Sequence, residues 1–280
     1  MDPVKNTAKK RYPTYLIYLF SSLFLLMMAA SWGLYAGWLV PVDWDDPRPL
    51  YLEDSTIEQV HGGLFLDYSR HGIAYVPLQE LPDDLVNAFI AIEDSRFFQH
   101  RGIDLISIFR AMAVNLQAGE VVQGGSTITQ QLARNLFLGH QRTLERKVAE
   151  IGIAFQLERQ FTKEAILEMY LNQIYFGHGN WGVNQAARAY FQKEATALTL
   201  GEAAVLAGLV QSPGNYAPTA GRWGLALARQ RVVLNRMAEL NYITPQDARE
   251  ALLQEPLSSL LIKKTRGLRE PPGETSLSFQ

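Results

Sequence analysis

Apolar and polar positions follow three regimes along this chain. From Tyr15 to Leu39 every residue is apolar or small and none is charged. About 20 such residues carry a helix across the hydrocarbon core of a bilayer, so 15–40 reads as a transmembrane anchor. The run continues past Ala29, Ala30 and Ser31 and exceeds the roughly 7–15 apolar residues of a cleaved signal peptide. Lys5, Lys9, Lys10 and Arg11 precede it, and Asp43, Asp45 and Asp46 follow it. The excess of positive charge on one flank puts residues 1–14 in the cytoplasm and the rest of the chain outside.

The second regime, 41–80, opens as a Pro- and Asp-rich linker from Pro41 to Pro49. It then shows two short strand-like runs, Leu64-Phe65-Leu66 and Ile73-Ala74-Tyr75-Val76, punctuated by Gly62-Gly63 and His71-Gly72. A small β-element is expected there. The third regime, 81–256, changes to helical spacing. Pro82-Asp83-Asp84 opens a helix with acids at the positive end of its dipole, and Leu85, Phe89 and Ile92 share one face. Asp104 is placed to cap a second helix with the stripe Leu105, Phe109, Met112 and Leu116, followed by a Gly-flanked loop from Gln117 to Gly125. Thr127 and Gln130 have capping-box spacing for a third. A fourth, from Thr143 to Gln160, carries Leu144, Val148, Ile151 and Phe155 on its expected core face. Thr162 starts a fifth, which runs to about Tyr175, and Gly177-His178-Gly179-Asn180 breaks the chain.

Thr199 and Glu202 form another capping box before an Ala/Leu-rich helix expected to be buried as far as Val210, which Ser212-Pro213-Gly214 ends. Helices from Trp223 to Leu240 and from Pro245 to Gln254 follow, and 257–280 has a disordered composition. The fold class is therefore mainly α. A single N-terminal transmembrane helix and a small β-element precede one helical domain over 81–256.

Composition narrows this further. Hydrophobic residues at 48% and charged residues at 19% supply a packed core. A net charge of −2 gives no case for nucleic acid as a partner. The absence of cysteine removes disulfides, thiolate metal sites and a Cys nucleophile.

Four segments carry candidate chemistry. In Glu93-Asp94-Ser95-Arg96-Phe97-Phe98-Gln99-His100-Arg101-Gly102, two carboxylates end an apolar helix. Glu93 lies at the negative end of the dipole, where a raised pKa suits a general base; a solvated helix end is the plainer alternative. Gln123-Gly124-Gly125-Ser126-Thr127-Ile128-Thr129-Gln130-Gln131-Leu132-Ala133-Arg134-Asn135 opens a helix after two glycines. It reads either as an anion site of backbone N–H groups or as an ordinary N-cap. Arg142-Thr143-Leu144-Glu145-Arg146-Lys147-Val148-Ala149-Glu150 places Arg146 and Lys147 within helical reach of Glu150, the pattern of a surface charge network. In Ile166-Leu167-Glu168-Met169-Tyr170-Leu171-Asn172, the polar Asn172 sits in an apolar helix, more often a structural position than a catalytic one.

In this order the four segments resemble the peptidoglycan glycosyltransferase family of class A penicillin-binding proteins and monofunctional glycosyltransferases. Its pattern is Glu-Asp-x-x-Phe-x-x-His-x-Gly, Gly-Gly-Ser-Thr-Ile-Thr-Gln-Gln, Arg-Lys-x-x-Glu and Ile-Leu-Glu-x-Tyr-Leu-Asn. Ala186 to Lys193 matches a fifth motif, and the resemblance spans about Leu64 to Met237. It implies a lysozyme-like fold with a cleft beside the membrane, Glu93 as the base for the acceptor's 4-hydroxyl, and Glu150 as a second catalytic glutamate of less settled role. It further implies a substrate site drawn from Asp94, Phe97, His100, Ser126, Thr127, Gln130, Gln131, Arg134, Arg142, Arg146, Lys147 and Asn172. Arg134 stands where the family often has Lys, which keeps the charge but offers a fork instead of a point.

The implied reaction polymerises lipid II into β-1,4-linked glycan strands by inverting transfer, releasing undecaprenyl diphosphate. The resemblance implies no tightly bound cofactor beyond a divalent cation (Mg or Mn) accompanying the pyrophosphate. The implied location is the bacterial cytoplasmic membrane, single-pass, with the catalytic domain on the outer, periplasmic face. After Met237 no Ser stands three residues before a Lys, and Lys264-Thr265 is followed by Arg266. A separate penicillin-binding transpeptidase is therefore the expected partner for cross-linking. Ala74 to Glu80 resembles the class A proteins more than the monofunctional ones, so a truncated bifunctional protein stays open. A hydrolase on the same fold fits poorly with so many cations, which suit a phosphate leaving group. A catalytically silent scaffold fits poorly with both glutamates in complete motifs.

Overall fold

A computed structural model describes residues 75–120, 124–138, 143–217 and 223–253, with the backbone alone at 57–60, 63–66 and Trp223. The expected anchor (15–40) and tail (257–280) lie outside the described residues. Strands β1 (Ile57–Val60) and β2 (Gly63–Leu66) pair antiparallel, Ile57 opposite Leu66 and Val60 opposite Gly63. Tyr75 and Val76, expected at the end of another strand, belong to none. The ladder-forming groups of Val76 are taken by a helix side chain: its N–H donates to Asn172 Oδ1 at 3.0 Å and its carbonyl accepts from Asn172 Nδ2 at 2.9 Å.

The rest is helical. Short polar side chains start most of the helices by accepting backbone N–H groups that have no partner inside the helix. Asp104 does so for α2 (Leu105–Ala118), which follows α1 (Asp83–Glu93). Thr127 closes a capping box with Gln130 at the start of α3 (Ile128–Phe137). Thr143 caps α4 (Leu144–Gln160) and Thr162 caps α5 (Lys163–Gln173). A helix not anticipated from periodicity, α6 (Val183–Phe191), comes next, then α7 (Leu200–Leu209) behind the Thr199–Glu202 box. The short α8 (Pro213–Tyr216), α9 (Trp223–Glu239) and α10 (Pro245–Leu253) complete the order.

Residues 201–209 of α7 are all buried, with α1, α9 and α10 packed around them. A second group forms where α3 packs on α4 and α5. Phe89 of α1 joins the two, meeting Tyr170 and Phe176 edge-on at 6.4 and 6.0 Å between ring centroids.

Two expected faces differ from those observed. On α4 the buried residues are Glu150, Gly152, Ile153, Ala154 and Leu157, whereas Leu144 of the expected face is 70% exposed. The small residues let backbone approach closely. A Cβ on Gly102, whose φ is +85°, would stand 3.2 Å from the carbonyl of Ala154, so that loop runs against α4. On α2 the stripe Leu105, Phe109 and Leu116 is 49–57% exposed and Ala111 alone in that helix is buried, because among the described residues no other helix packs broadly on it.

Candidate active-site cleft

The C-terminal end of α1, the loop before α3, and faces of α2 and α9 enclose a cleft of about 880 Å³. Glu93 is the last residue of α1 and lines it. Its Oε2 accepts from Gln131 Nε2 at 2.8 Å, and behind it the buried Tyr170 hydroxyl donates to Gln131 Oε1 at 3.4 Å. That chain fixes the amide so that its NH₂ points at the carboxylate. Burial raises the Glu93 pKa above the usual carboxylate range. The Gln131 hydrogen bond, Arg229 and Arg134 oppose this without cancelling it, and Asp94 adds to the rise.

Asp94 also borders the cleft, but its carboxylate is spent inside the protein. It meets His100 Nε2 at 3.0 and 2.9 Å and accepts from the Ile128 N–H at 3.0 Å. The Gln130 N–H goes to Thr127 Oγ1 at 3.1 Å, the Thr127 N–H goes to Gln130 Oε1 at 3.2 Å, and the Thr127 hydroxyl donates to the Gly102 carbonyl at 2.7 Å. The N–H groups of Thr127, Ile128 and Gln130 are therefore engaged within the protein, which favours the N-cap of the two readings over the open anion site.

Positive charge on this wall comes from side chains instead. Arg134 lines the cleft, as does Ser126, whose hydroxyl accepts from Lys147 Nζ at 2.9 Å. Lys147 also donates to Glu150 Oε2 at 2.8 Å, and Arg146 Nη1 pairs with Glu150 Oε1. Burial, then the neighbouring Arg134 and Arg146, bring Lys147 down to about 8 in spite of the shared Glu150 carboxylate.

The predicted site residues thus divide. Glu93, Asp94, Ser126, Thr127, Gln131 and Arg134 meet at the cleft. Glu150, 1% exposed, stands behind Lys147, away from the cleft lining. Phe97 is core, with Lys163 Nζ 4.3 Å from its ring centroid, and His100, Gln130 and Asn172 are buried in the hydrogen bonds described above. Arg142 lies outside the described residues. Sequence reasoning missed Arg229 and Arg236, which reach the cleft from α9. Their spacing of two helical turns on one face was the available signal. Among the described residues no group of three or more His, Asp or Glu gathers to hold a metal ion.

A family model described as Transglycosylase matches residues 62–238, which include every cleft residue named above. The chain belongs to the transglycosylase family. It is 47% identical over 220 residues to penicillin-binding protein 1A of Aquifex aeolicus, covering 76% of this chain and 30% of that protein. It is 47% identical over 190 residues to penicillin-binding protein 1A of Escherichia coli, covering 68% of this chain and 22% of that protein. To a putative transglycosylase of Cupriavidus necator it is 45% identical over 188 residues, covering 67% of this chain and 80% of that protein. The chain thus spans under a third of the length of these two penicillin-binding proteins.

Proposed function

We propose that the chain is a peptidoglycan glycosyltransferase that joins lipid-linked disaccharides into β-1,4 glycan strands. The observation that carries this reading is Glu93: a half-buried carboxylate of raised pKa, held by a neutral donor, in a cleft that Arg134 and Ser126, the partner of Lys147, also line. Glu93, its pKa raised, takes the proton of the acceptor's 4-hydroxyl. The freed oxygen pair attacks the anomeric carbon of the donor. The bond to the diphosphate breaks on the opposite face, and its electrons leave with the lipid diphosphate. Arg134 and Lys147 stabilise the charge that develops there. One displacement inverts the α-linked donor to a β-linked product, with no enzyme-bound intermediate. Glu150 belongs to this scheme as the acceptor that fixes Arg146 and Lys147, not as a second base. A divalent cation, Mg or Mn, would be bound through the diphosphate, and no step is routed through it.

The substrate's lipid tail requires a cleft near a bilayer. No described helix is long and apolar enough to cross a membrane. Support comes from α2, which lends Ser107, Arg110 and Val114 to the cleft and exposes Leu105, Ile106, Phe109 and Leu116. Leu136 and Phe137, at the end of α3, are buried in the core and play no such part. In this reading residues 15–40 anchor the chain in the bacterial cytoplasmic membrane with the lysozyme-like domain outside, and a penicillin-binding transpeptidase cross-links the strands. The test is incubation of the detergent-solubilised chain with lipid II. Polymer is expected from the wild type, and about 10²–10⁴-fold less from Glu93→Gln, which keeps the shape and removes the base. Polymer from Glu93→Gln at more than half the wild-type rate overturns the assignment.

A further inference from the structure

Gly208 lies inside α7, the most deeply buried helix, where glycine costs roughly 1 kcal/mol relative to alanine. Its φ is not positive, so backbone conformation does not call for glycine. A Cβ placed on it would come 2.8 Å from Arg229 Cγ and 3.5 Å from Arg229 Cβ. Gly208 therefore leaves a notch in α7, and the stem of Arg229, carried by α9, lies in it. Arg229 lines the cleft together with Glu93, and its Nε is buried with no hydrogen-bond partner among the described residues.

We infer that Arg229, seated in the Gly208 notch, is a positioning residue for the reaction proposed above: it is the counter-charge that keeps Glu93 ionised while the donor's diphosphate occupies Arg134. The groups facing Glu93 come from four sides. Gln131 and Arg134 reach it from α3, Tyr170 from α5, Asp94 from the next position in the chain, and Arg229 from α9. Arg110, Asp104, Arg236 and Glu239 line the same cleft. Burial and Asp94 favour the protonated acid, and a protonated Glu93 cannot accept the hydroxyl proton. Two cations oppose them, Arg229 more strongly than Arg134. A bound diphosphate would neutralise Arg134 and add negative charge beside the base. Arg229 reaches the cleft from another wall than Arg134: α9 packs on α1 and α7, whereas α3 packs on α4 and α5.

The experiment is the pH dependence of kcat for lipid II polymerisation by the full chain, with urea unfolding as the check on folding. Arg229→Gln is expected to move the acid limb upward by about one pH unit, since removing one nearby charge is worth on the order of 1 kcal/mol. The loss would be about tenfold below the limb and recover above it. Arg229→Lys is expected to restore most of the limb, and Gly208→Ala, which pushes the stem out of its notch, to shift it in the same direction as Arg229→Gln. An acid limb that stays in place overturns the inference. If KM rises at the same time, Arg229 is a substrate contact instead. Should Arg229→Gln not fold, a limb unmoved in Gly208→Ala overturns it equally. A wild type that makes no polymer at all removes the proposed function, a result distinct from either.

Discussion

Glu93 and Glu150 are both glutamates on helices near one cleft, and their surroundings are opposite. Glu150 meets two cations at contact distance, Arg146 and Lys147, and is sealed from solvent. Glu93 receives one hydrogen bond from a neutral amide and feels its cations through space. Glu93, half-buried beside a neutral partner, is driven towards taking a proton. In the proposed scheme, two glutamates that look equivalent in a motif thus separate into a base and an anchor.

The largest expected effect that would break this contrast is on stability. Glu150→Ala leaves Arg146 and Lys147 without their shared acceptor. Both cations are partly exposed and can find water, so the loss should be about 1.5–3 kcal/mol, the range for hydrogen bonds to charged groups. Glu93→Ala removes a carboxylate whose burial is unfavourable and should cost much less. Urea unfolding of the two variants decides it: equal losses would mean that the anchor and the base are not distinct.

The contrast was half legible in the sequence. Glu93 at a helix end beside apolar neighbours is a local pattern, and so are the caps Asp104, Thr127, Thr143, Thr162 and Thr199, each of which accepts a backbone N–H two or three residues on. What escaped depends on partners distant in the chain. Asn172 serves Val76, 96 residues away. The face of α4 is chosen by Gly152 and Ala154, which admit close backbone but carry no weight in a count of large apolar residues. Arg229 needed Gly208 to be seen as seated. The Ser126 helix start looked like an anion site because nothing local shows that Asp94 already occupies the Ile128 N–H.

A smaller effect sharpens the Glu93 side. Tyr170→Phe removes the hydroxyl that orients Gln131. At 3.4 Å this hydrogen bond is long, so a loss of about 0.5–1.5 kcal/mol, or several-fold in kcat, is expected with the core unaltered. The check is that Tyr170→Phe adds nothing to Gln131→Ala in the double variant, because both act through one amide. Fully additive losses would show that Tyr170 contributes by packing alone.

The smallest effect concerns the Glu150 side and its pH dependence. Lys147 falls from 10.5 in the unfolded chain to about 8 in the fold. Between those values the unfolded chain holds a proton that the folded protein has released, so stability rises with pH across this window. Charge behind Ser126 is lost over the same window, which weakens the wall for anions. Inorganic pyrophosphate is a suitable probe, although it too ionises with pH. Lys147→Arg separates the two causes, because it keeps the cation at every pH while the ligand titrates identically. Wild-type affinity relative to Lys147→Arg should fall several-fold from pH 7 to pH 9.5. The effect is modest, since Lys147 is 40% exposed at its side chain and reaches the cleft through Ser126. A constant ratio would show that Lys147 keeps its proton, and that Glu150 outweighs burial, Arg134 and Arg146 in its surroundings.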